Sequence, residues 1–158
     1  MVYRSIFRNL VLVVIASFML SACATQKKVQ TQMQGDVYTG TETIKYLATG
    51  VPDRVFFATN KSVLTTAARD TLRKQAAWMR KNKDVTVSLE GHADERGTRE
   101  YNLALGEKRA QAAKNYLIAL GVDVSRVSTI SYGKEMPALV GSNDAAWDQN
   151  RRSVTVIN

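Results

Sequence analysis

Hydrophobic residues recur at strand spacing at several places between residue 51 and the C-terminus. Val85, Val87 and Leu89 alternate with polar residues, which predicts a strand with one buried face. Three other segments are rich in β-branched and aromatic residues and are bounded by turn-forming residues. These segments also predict strands, at residues 54–57, 127–132 and 154–157.

Hydrophobic residues at helical spacing separate these strands. Ala68, Leu72, Ala76 and Met79 predict a helix that Thr65 or Thr66 can cap. A second helix is predicted to end at Gly121. Its apolar positions repeat every three or four residues: Leu103, Gly106, Ala110, Ala113, Leu117 and Leu120. Residues 143–150 predict a third, shorter helix.

This order of elements predicts an α/β (α+β) sandwich, in which two main helices cover a mixed sheet of about four strands. The predicted domain is residues 51–158, and these 108 residues can bury one modest core. Residues 23–50 are rich in Gln, Thr and Gly and predict a flexible tether. The alternative is a short ordered arm that packs on the domain through Tyr38, Ile44, Tyr46 and Leu47.

The N-terminal residues have the pattern of an export signal. Arg4 and Arg8 precede an apolar run of 11 residues at positions 10–20, which is too short for a membrane span of about 20 residues. Leu20-Ser21-Ala22-Cys23 resembles a bacterial lipobox, so we expect residues 1–22 to be a lipoprotein signal peptide and Cys23 to be acylated. Two alternatives are an ordinary A-x-A cleavage site and an inert apolar Cys23.

Acylation of Cys23 predicts a lipid anchor in place of a protein span, because two or more acyl chains hold a protein stably on a membrane. Ala24 follows the cysteine, where an Asp would resemble a signal for retention in the inner membrane. The sequence therefore predicts a lipid-anchored protein of the outer membrane, with its domain facing the periplasm.

Composition argues against several other classes of protein. One Cys leaves no intramolecular disulfide, and one His with one Cys falls short of the usual ligands of a zinc site. The formal charge of +8 falls to +6 without residues 1–22 and permits nucleic-acid binding. Basic residues are spread along the chain without an aromatic-lined motif, however, and export removes the protein from most nucleic acid. We therefore expect no cofactor, no metal and no nucleic-acid partner.

Four separated blocks resemble OmpA-like domains, which bind peptidoglycan without cleaving it. Asp94 stands in a loop before an N-x-x-L-x-x-x-R-A pattern, which is filled by Asn102, Leu105, Arg109 and Ala110. The other three blocks are residues 56–62, 131–137 and 150–152. Because the blocks agree in order over roughly two-thirds of the chain, the resemblance is specific.

Within this family, the 95–98 loop, Tyr101-Asn102 and Trp147 are similar to the branch of peptidoglycan-associated lipoproteins. That resemblance implies a tether between outer membrane and cell wall in the Tol-Pal system, with a role in envelope integrity and cell division. It also implies TolB as a partner that competes with peptidoglycan for the same rim. Ala58 departs from the family, which often has Asp or Asn there, so a side-chain contact to the ligand is lost while a main-chain contact survives.

Asp94 and Arg109 carry the chemistry that a peptidoglycan stem peptide requires. The free end of a diaminopimelate residue is a zwitterion, so it needs an anion for its ammonium and a cation for its carboxylate. Asp accepts hydrogen bonds from an ammonium, and the planar fork of Arg can grip a carboxylate with two donors. We expect Arg109 near the start of its helix, at the same rim as Asp94. From spacing alone, a surface ion pair between the two residues is the simpler interpretation.

The resemblance implies further site residues, for which the argument for ligand contact is weaker. Thr59 and Asn60 offer hydrogen bonds at the rim, and Asn102 is as plausible a helix cap as a ligand contact. Leu105 suits core packing better than recognition, and Arg151 suits a structural or exposed position better than ligand contact. His92, without a second histidine, is expected to shape its loop as a hydrogen-bond donor.

The leading hypothesis is a non-catalytic protein that binds the stem peptide. One rival is a periplasmic enzyme that remodels peptidoglycan. A pair of catalytic carboxylates is not excluded, because three acidic residues are close in sequence: Asp94, Glu95 and Glu100. Another rival is an OmpA-like lipoprotein outside the Tol system. No catalytic residue is assigned under the leading hypothesis.

Overall fold

The computed structural model describes residues 46–158. The predicted signal peptide, Cys23 and most of the predicted tether lie outside these residues. Six strands and three helices follow one another along the described chain, with a 3₁₀ turn at Val124–Arg126. The strands are β1 (Tyr46–Ala48), β2 (Val51–Pro52), β3 (Arg54–Phe56), β4 (Val87–His92), β5 (Val127–Gly133) and β6 (Arg152–Ile157). The helices are α1 (Thr66–Lys81), α2 (Arg99–Ala119) and α3 (Asp144–Asn150).

Strands β3 to β6 form one mixed sheet in the spatial order β3-β6-β4-β5. β6 runs antiparallel to both of its neighbours, and β4 and β5 run parallel. β3, β4 and β5 therefore all end at one edge of the sheet, where β6 begins. The four-strand mixed sheet and the two main helices confirm the predicted fold class, and β1 pairs with β2 in a separate two-stranded ladder.

Threonine side chains begin both long helices. Thr65 accepts a hydrogen bond from the Ala68 main-chain N–H, which confirms one of the two predicted caps of α1. Thr98 caps α2 by accepting from the N–H of Tyr101. Of the two roles considered for Asn102, that of helix cap is excluded, because α2 begins at Arg99 and Asn102 lies inside its first turns. Thr98 precedes the apolar repeat by a full turn, so the repeat alone misplaced the start of the helix.

The apolar core lies between the sheet and the two long helices. Leu72, Ala76 and Met79 from α1 and Ala110, Ala113 and Leu117 from α2 are fully buried there, together with Val87 and Leu89 of β4. The helical spacing predicted most of these positions. One polar link crosses the same layer, where Gln75 of α1 accepts a hydrogen bond from Thr155 of β6 and donates one to the carbonyl of Pro52.

Glycines let α2 approach the sheet closely. A Cβ atom on Gly91 of β4 would lie 1.8 Å from the carbonyl oxygen of Gly106 of α2. A Cβ on Gly106 would lie 2.3 Å from Oγ of Ser131 and 2.7 Å from the carbonyl oxygen of Gly91. Because backbone faces backbone here, neither position has room for a side chain. This contact between Gly91 and Gly106, here called the glycine seam, fixes the distance between helix and sheet.

No helix within residues 46–158 is long and apolar enough to cross a membrane.

Candidate functional site

The edge of the sheet where β3, β4 and β5 end carries the candidate site. Residues 57–61 follow β3, residues 93–98 follow β4, and Arg151 immediately precedes β6. Main-chain hydrogen bonds join these segments, from Phe57 N to the carbonyl of Arg151 at 2.9 Å and from Ala93 N to the carbonyl of Gly133 at 2.8 Å. The topology therefore gathers residues that are up to 94 positions apart in sequence at one rim.

Asp94 is the anionic centre of this rim, and its side chain is 9% exposed. Its Oδ1 accepts from the main-chain N–H of Arg96 at 3.1 Å and from Nε of Arg96 at 3.2 Å. Its Oδ2 accepts from Nη2 of Arg96 at 2.6 Å and from Nη1 of Arg151 at 3.4 Å. Two donors thus meet each carboxylate oxygen.

These donors keep Asp94 ionised. Burial alone would raise the pKa of the carboxyl group, but the hydrogen bonds from the side chain and main chain of Arg96 outweigh that effect. The pKa of Asp94 therefore lies below its ordinary value. At neutral pH the rim presents a carboxylate, which suits an ammonium ligand.

Arg109 is fully buried and hydrogen-bonds to three main-chain carbonyls. Its Nη1 donates to His92 at 2.7 Å, its Nε to Lys61 at 3.0 Å and its Nη2 to Ala58 at 3.2 Å. The guanidinium carbon also lies 5.3 Å from the centre of the Phe57 ring. One arginine of α2 therefore joins the end of β4 to the turn that follows β3.

The structure corrects two expectations about this arginine. Arg109 lies near the middle of the 21-residue helix α2 and not near its start, but its long side chain reaches the rim. Asp94 and Arg109 do not form a surface ion pair either, because both are buried and the carboxylate of Asp94 pairs with Arg96 and Arg151. Burial and the charge of Arg151 lower the pKa of Arg109 to about 10, while the charge of Asp94 opposes this shift.

Arg151 is also largely buried, as the structural interpretation of this residue predicts. It donates to the carbonyl of Phe57 at 3.1 Å and contacts carboxylate oxygens of Asp94 and Asp148. Arg96, Arg109 and Arg151 thus surround Asp94, with Asp148 on the far side of Arg151.

An exposed layer covers the buried residues. The guanidinium of Arg96 lies 4.1 Å from the centre of the Trp147 ring, and its side chain is 42% exposed. Nε1 of Trp147 donates to the carboxylate of Glu95 at 3.0 Å. Lys134 donates to the carbonyls of Glu95 and Gly97, which fastens the 93–98 loop to the end of β5.

The remaining predicted residues lie in the same neighbourhood with different roles. Thr59 and Asn60 are exposed, and Asn60 has the left-handed φ of 56°, which Asn tolerates better than most residues. The carbonyl of Ala58 accepts from Arg109, so this main-chain group already has an internal partner. Asn102 is buried and donates to the carbonyl of Arg96, and Leu105 is buried as packing requires.

His92 contributes to the rim through its main chain. Its carbonyl accepts from Arg109, while its imidazole is 2% exposed and stacks on Tyr132 at 5.5 Å between ring centres. Burial and the nearby charge of Arg152 lower the pKa of His92 to about 3, so the ring is neutral at physiological pH. Within residues 46–158, no group of three or more His, Cys, Asp or Glu side chains is placed to hold a metal ion.

Sequence analysis missed Arg96 as the main partner of Asp94. Arg96 is two residues from Asp94, and an Asp accepting hydrogen bonds from the main chain two residues ahead is a common turn. That spacing was the available signal for the loop geometry. The stacking of Arg96 on Trp147 had no such signal, because 51 residues separate the two positions.

Comparison with known proteins finds related sequences and a similar solved structure. The model of the OmpA family matches residues 56–151. A curated protein of Brucella melitensis named peptidoglycan-associated lipoprotein is 51% identical over 108 residues, which are 68% of this chain and 64% of the relative. The matched part thus spans less than two-thirds of that relative's length.

Two further relatives have the same name, and their matches cover different shares of this chain. The protein of that name from Rhizobium meliloti is 42% identical over 159 aligned residues, which cover 98% of this chain and 90% of the relative. The crystal structure of the peptidoglycan-associated lipoprotein from Burkholderia pseudomallei is 36% identical, with a TM-score of 0.66. That match covers 67% of this chain and 90% of the solved one.

Proposed function

The chain belongs to the OmpA family, and on this premise we propose that it binds the stem peptide of peptidoglycan without cleaving it. The observation that carries this proposal is the buried carboxylate of Asp94, surrounded by three arginines at one edge of the sheet. The names of the relatives from Brucella, Rhizobium and Burkholderia support a peptidoglycan ligand.

The charges of the rim complement the zwitterionic end of diaminopimelate. Asp94 is ionised and receives the ammonium, and a buried acceptor of this kind strengthens a charge-assisted hydrogen bond. The guanidinium groups of Arg109 and Arg151 at the same rim attract the carboxylate. Arg109 has five N–H donors, of which three bond to main-chain carbonyls. Because its side chain is fully buried, the other two can reach a ligand carboxylate only if the residues that cover it move.

The electrostatics of Asp94 favour binding over acid catalysis. A general acid at neutral pH needs a raised pKa, and the pKa of Asp94 is lowered by the donors around it. Glu95 is exposed, and hydrogen bonds from Ser142 and from Trp147 lower its pKa too. Neither carboxyl group is prepared to donate a proton to a leaving group.

Lipid at Cys23 would hold this domain near the cell wall. We place the anchor in the outer membrane because Ala24 follows the cysteine, and the tether of about 27 residues spans on the order of 30 Å as a flexible coil. The intact mass of protein extracted from membranes tests this part. We expect acyl chains on a chain that begins at Cys23, and Cys23→Ser should leave an unacylated precursor. A mature wild-type mass without acyl chains would reject the anchor.

Co-sedimentation with purified cell-wall sacculi tests the binding proposal. Wild type should pellet with sacculi, and Asp94→Asn should remain mostly in the supernatant, because an amide is a poor partner for an ammonium. Asp70→Asn is the matched control, since Asp70 is an exposed carboxylate on α1 that pairs with Arg73. Equal pelleting of Asp94→Asn and wild type would contradict the proposed site. Release of soluble fragments from the sacculi would instead favour a remodelling enzyme.

A role in the Tol-Pal system, with its part in envelope integrity and cell division, is the further proposal about partners. If TolB docks on the same rim, it should displace a soluble stem peptide as its concentration rises. Ternary complexes of the three components would place the TolB surface elsewhere. Failure of TolB to bind at all would put this chain outside the Tol system and leave peptidoglycan binding untouched.

A further inference from the structure

The carboxylate of Asp94 has no acceptor position to spare in the described structure. Two carboxylate oxygens offer about four lone pairs, and four donors already occupy them. An incoming ammonium therefore cannot add to this arrangement. One of the present donors has to leave.

Only one of the donor groups is free to move. The main-chain N–H of Arg96 is fixed by the turn, and the side chain of Arg151 is 10% exposed and also held by Phe57 and Asp148. The side chain of Arg96 is 42% exposed, and its other contacts are the face of Trp147 and a 3.5 Å hydrogen bond to Thr59. Its displacement gives up two hydrogen bonds to Asp94, which the ammonium of the ligand replaces.

We propose that the guanidinium of Arg96 is a displaceable stand-in for the ligand ammonium, so that Arg96 sets the affinity and selectivity of the site by competing for Asp94. This inference rests on the proposed function. In the absence of ligand, Arg96 neutralises Asp94 and closes the rim. Binding exchanges one cation on Asp94 for another, so only a ligand that brings its own cation can open the site.

The surroundings of Arg96 give the displaced side chain a place to go. Asp144 and Asp148, in the first and second turns of α3, lie near enough that their charges act on Arg96. The indole of Trp147, on the same helix, already supports the guanidinium. A rotation of the side chain toward α3 keeps the cation beside a carboxylate and an aromatic face while it uncovers Asp94.

Calorimetric titration with a soluble stem peptide that ends in a free diaminopimelate zwitterion tests this competition. Arg96→Gln removes the competing cation and should bind the peptide about three- to tenfold more tightly than wild type. Arg99→Gln is the matched control, because it removes an exposed arginine near the same loop that pairs with Glu135 and not with Asp94. The control should bind within twofold of wild type.

A second ligand separates competition from a general change in charge. Acetylation of the free ammonium of the peptide removes the group that replaces Arg96, so Arg96→Gln should lose its advantage on this ligand. A third measurement follows Trp147 directly in a Trp78→Phe background, where it is the remaining indole of the chain. The emission should change on binding when Arg96 is present and stay constant in Arg96→Gln.

The outcomes distinguish this inference from the proposed function. If wild type binds and Arg96→Gln binds more weakly, Arg96 contacts the ligand and the competition is wrong. If both arginine variants behave alike, Arg96 is only one surface charge among others and the competition is again wrong. If wild type, Arg96→Gln and Arg99→Gln all remain folded and none binds the peptide, the proposed function itself fails.

Discussion

The glycine seam and the charged rim are formed by the same two elements, β4 and α2, yet they follow opposite rules. At the seam the elements meet without side chains, and a Cβ on Gly91 would lie 1.8 Å from the Gly106 carbonyl oxygen. At the rim, the long side chain of Arg109 spans from α2 to the last residue of β4. At the seam, the missing side chains allow the two backbones to touch. At the rim, one long polar side chain connects the same two elements.

Within this one pair of elements, the seam serves stability and the rim serves recognition. The seam is backbone against backbone, so it cannot adapt and it determines where α2 lies on the sheet. The rim is held by hydrogen bonds to charged groups, some of them exposed, so parts of it can rearrange. Changes at the seam should therefore unfold the protein, whereas changes at the outer rim should alter binding in a folded protein.

The largest effect is expected from Gly91→Ala. Its Cβ would overlap the backbone of α2, and because no flexible side chain can yield, the helix must move away from the sheet. We expect a loss of more than about 3 kcal/mol in the free energy of unfolding, which exceeds the usual cost of overpacking a core. Chemical denaturation monitored by circular dichroism measures it.

Gly97→Ala is the matched glycine change at the rim. Gly97 has a φ of 93°, but a Cβ there would meet its nearest atom, Cδ1 of Tyr101, at 3.6 Å. The cost is backbone strain alone, about 1 kcal/mol. If Gly91→Ala is no more destabilising than Gly97→Ala, the glycine seam does not fix the helix as described.

Arg109→Ala should lower stability as well as binding. It removes a donor from three main-chain carbonyls, of which that of Ala58 keeps the N–H of Lys61. We expect a loss of about 3 kcal/mol in the free energy of unfolding. Arg109→Lys keeps the charge but one ammonium cannot replace the planar fork, so it should lose about half as much. Thermal melts beside peptide titrations check both variants. Arg109→Ala protein that melts like wild type would show that its hydrogen bonds stabilise nothing.

His92 should make the protein less stable in mild acid. Its pKa is about 3 in the folded state and near 6.5 when unfolded, so below pH 6.5 the unfolded chain takes up a proton that the folded chain refuses. Stability should therefore fall by about 1.6 kcal/mol between pH 6.5 and 5, with a slope that approaches about 1.4 kcal/mol per pH unit. Urea titrations at several pH values measure this slope. In His92→Asn, the slope of stability against pH should be shallower over this interval. An unchanged slope would mean that other groups cause the pH dependence.

Ala58→Asp should have the smallest effect. The side chain of Ala58 is half-buried at the rim, and its carbonyl bonds to Arg109 whatever the side chain is. A carboxylate there should leave affinity for the stem peptide within about tenfold, or 1.4 kcal/mol. A gain of several hundredfold would mean that the native rim lacks an essential side chain.

The fold was predictable because its signals are local. Thr65 precedes a run of apolar residues at helical spacing, and Val87 and Leu89 alternate with polar residues on β4, so helix and strand follow from neighbouring residues. The start of α2 was less clear, since the cap at Thr98 is followed by polar residues before the repeat begins. The glycine seam could not be predicted either, because in the helical repeat of α2 Gly106 is only one more small apolar position.

The partners within the rim could not be predicted from spacing. Asp94 and Arg109 were identified through the resemblance to the family, but their contacts depend on which strand ends meet. Arg151 lies 57 residues beyond Asp94, and the sheet order β3-β6-β4-β5 brings them together. The reach of Arg109 to carbonyls of three separate residues depends on the same topology.

The central claim is that Asp94 receives the ammonium of the stem peptide, and one titration tests it most directly. Wild type and Asp94→Asn are each titrated calorimetrically with the free peptide and with the peptide whose ammonium is acetylated. A charge-assisted contact contributes about 1.5–3 kcal/mol, so Asp94→Asn should weaken binding of the free peptide by about ten- to a hundredfold. Acetylation should weaken wild type by a similar factor and have little further effect on Asp94→Asn. Folded Asp94→Asn that binds the free peptide as tightly as wild type would contradict the account.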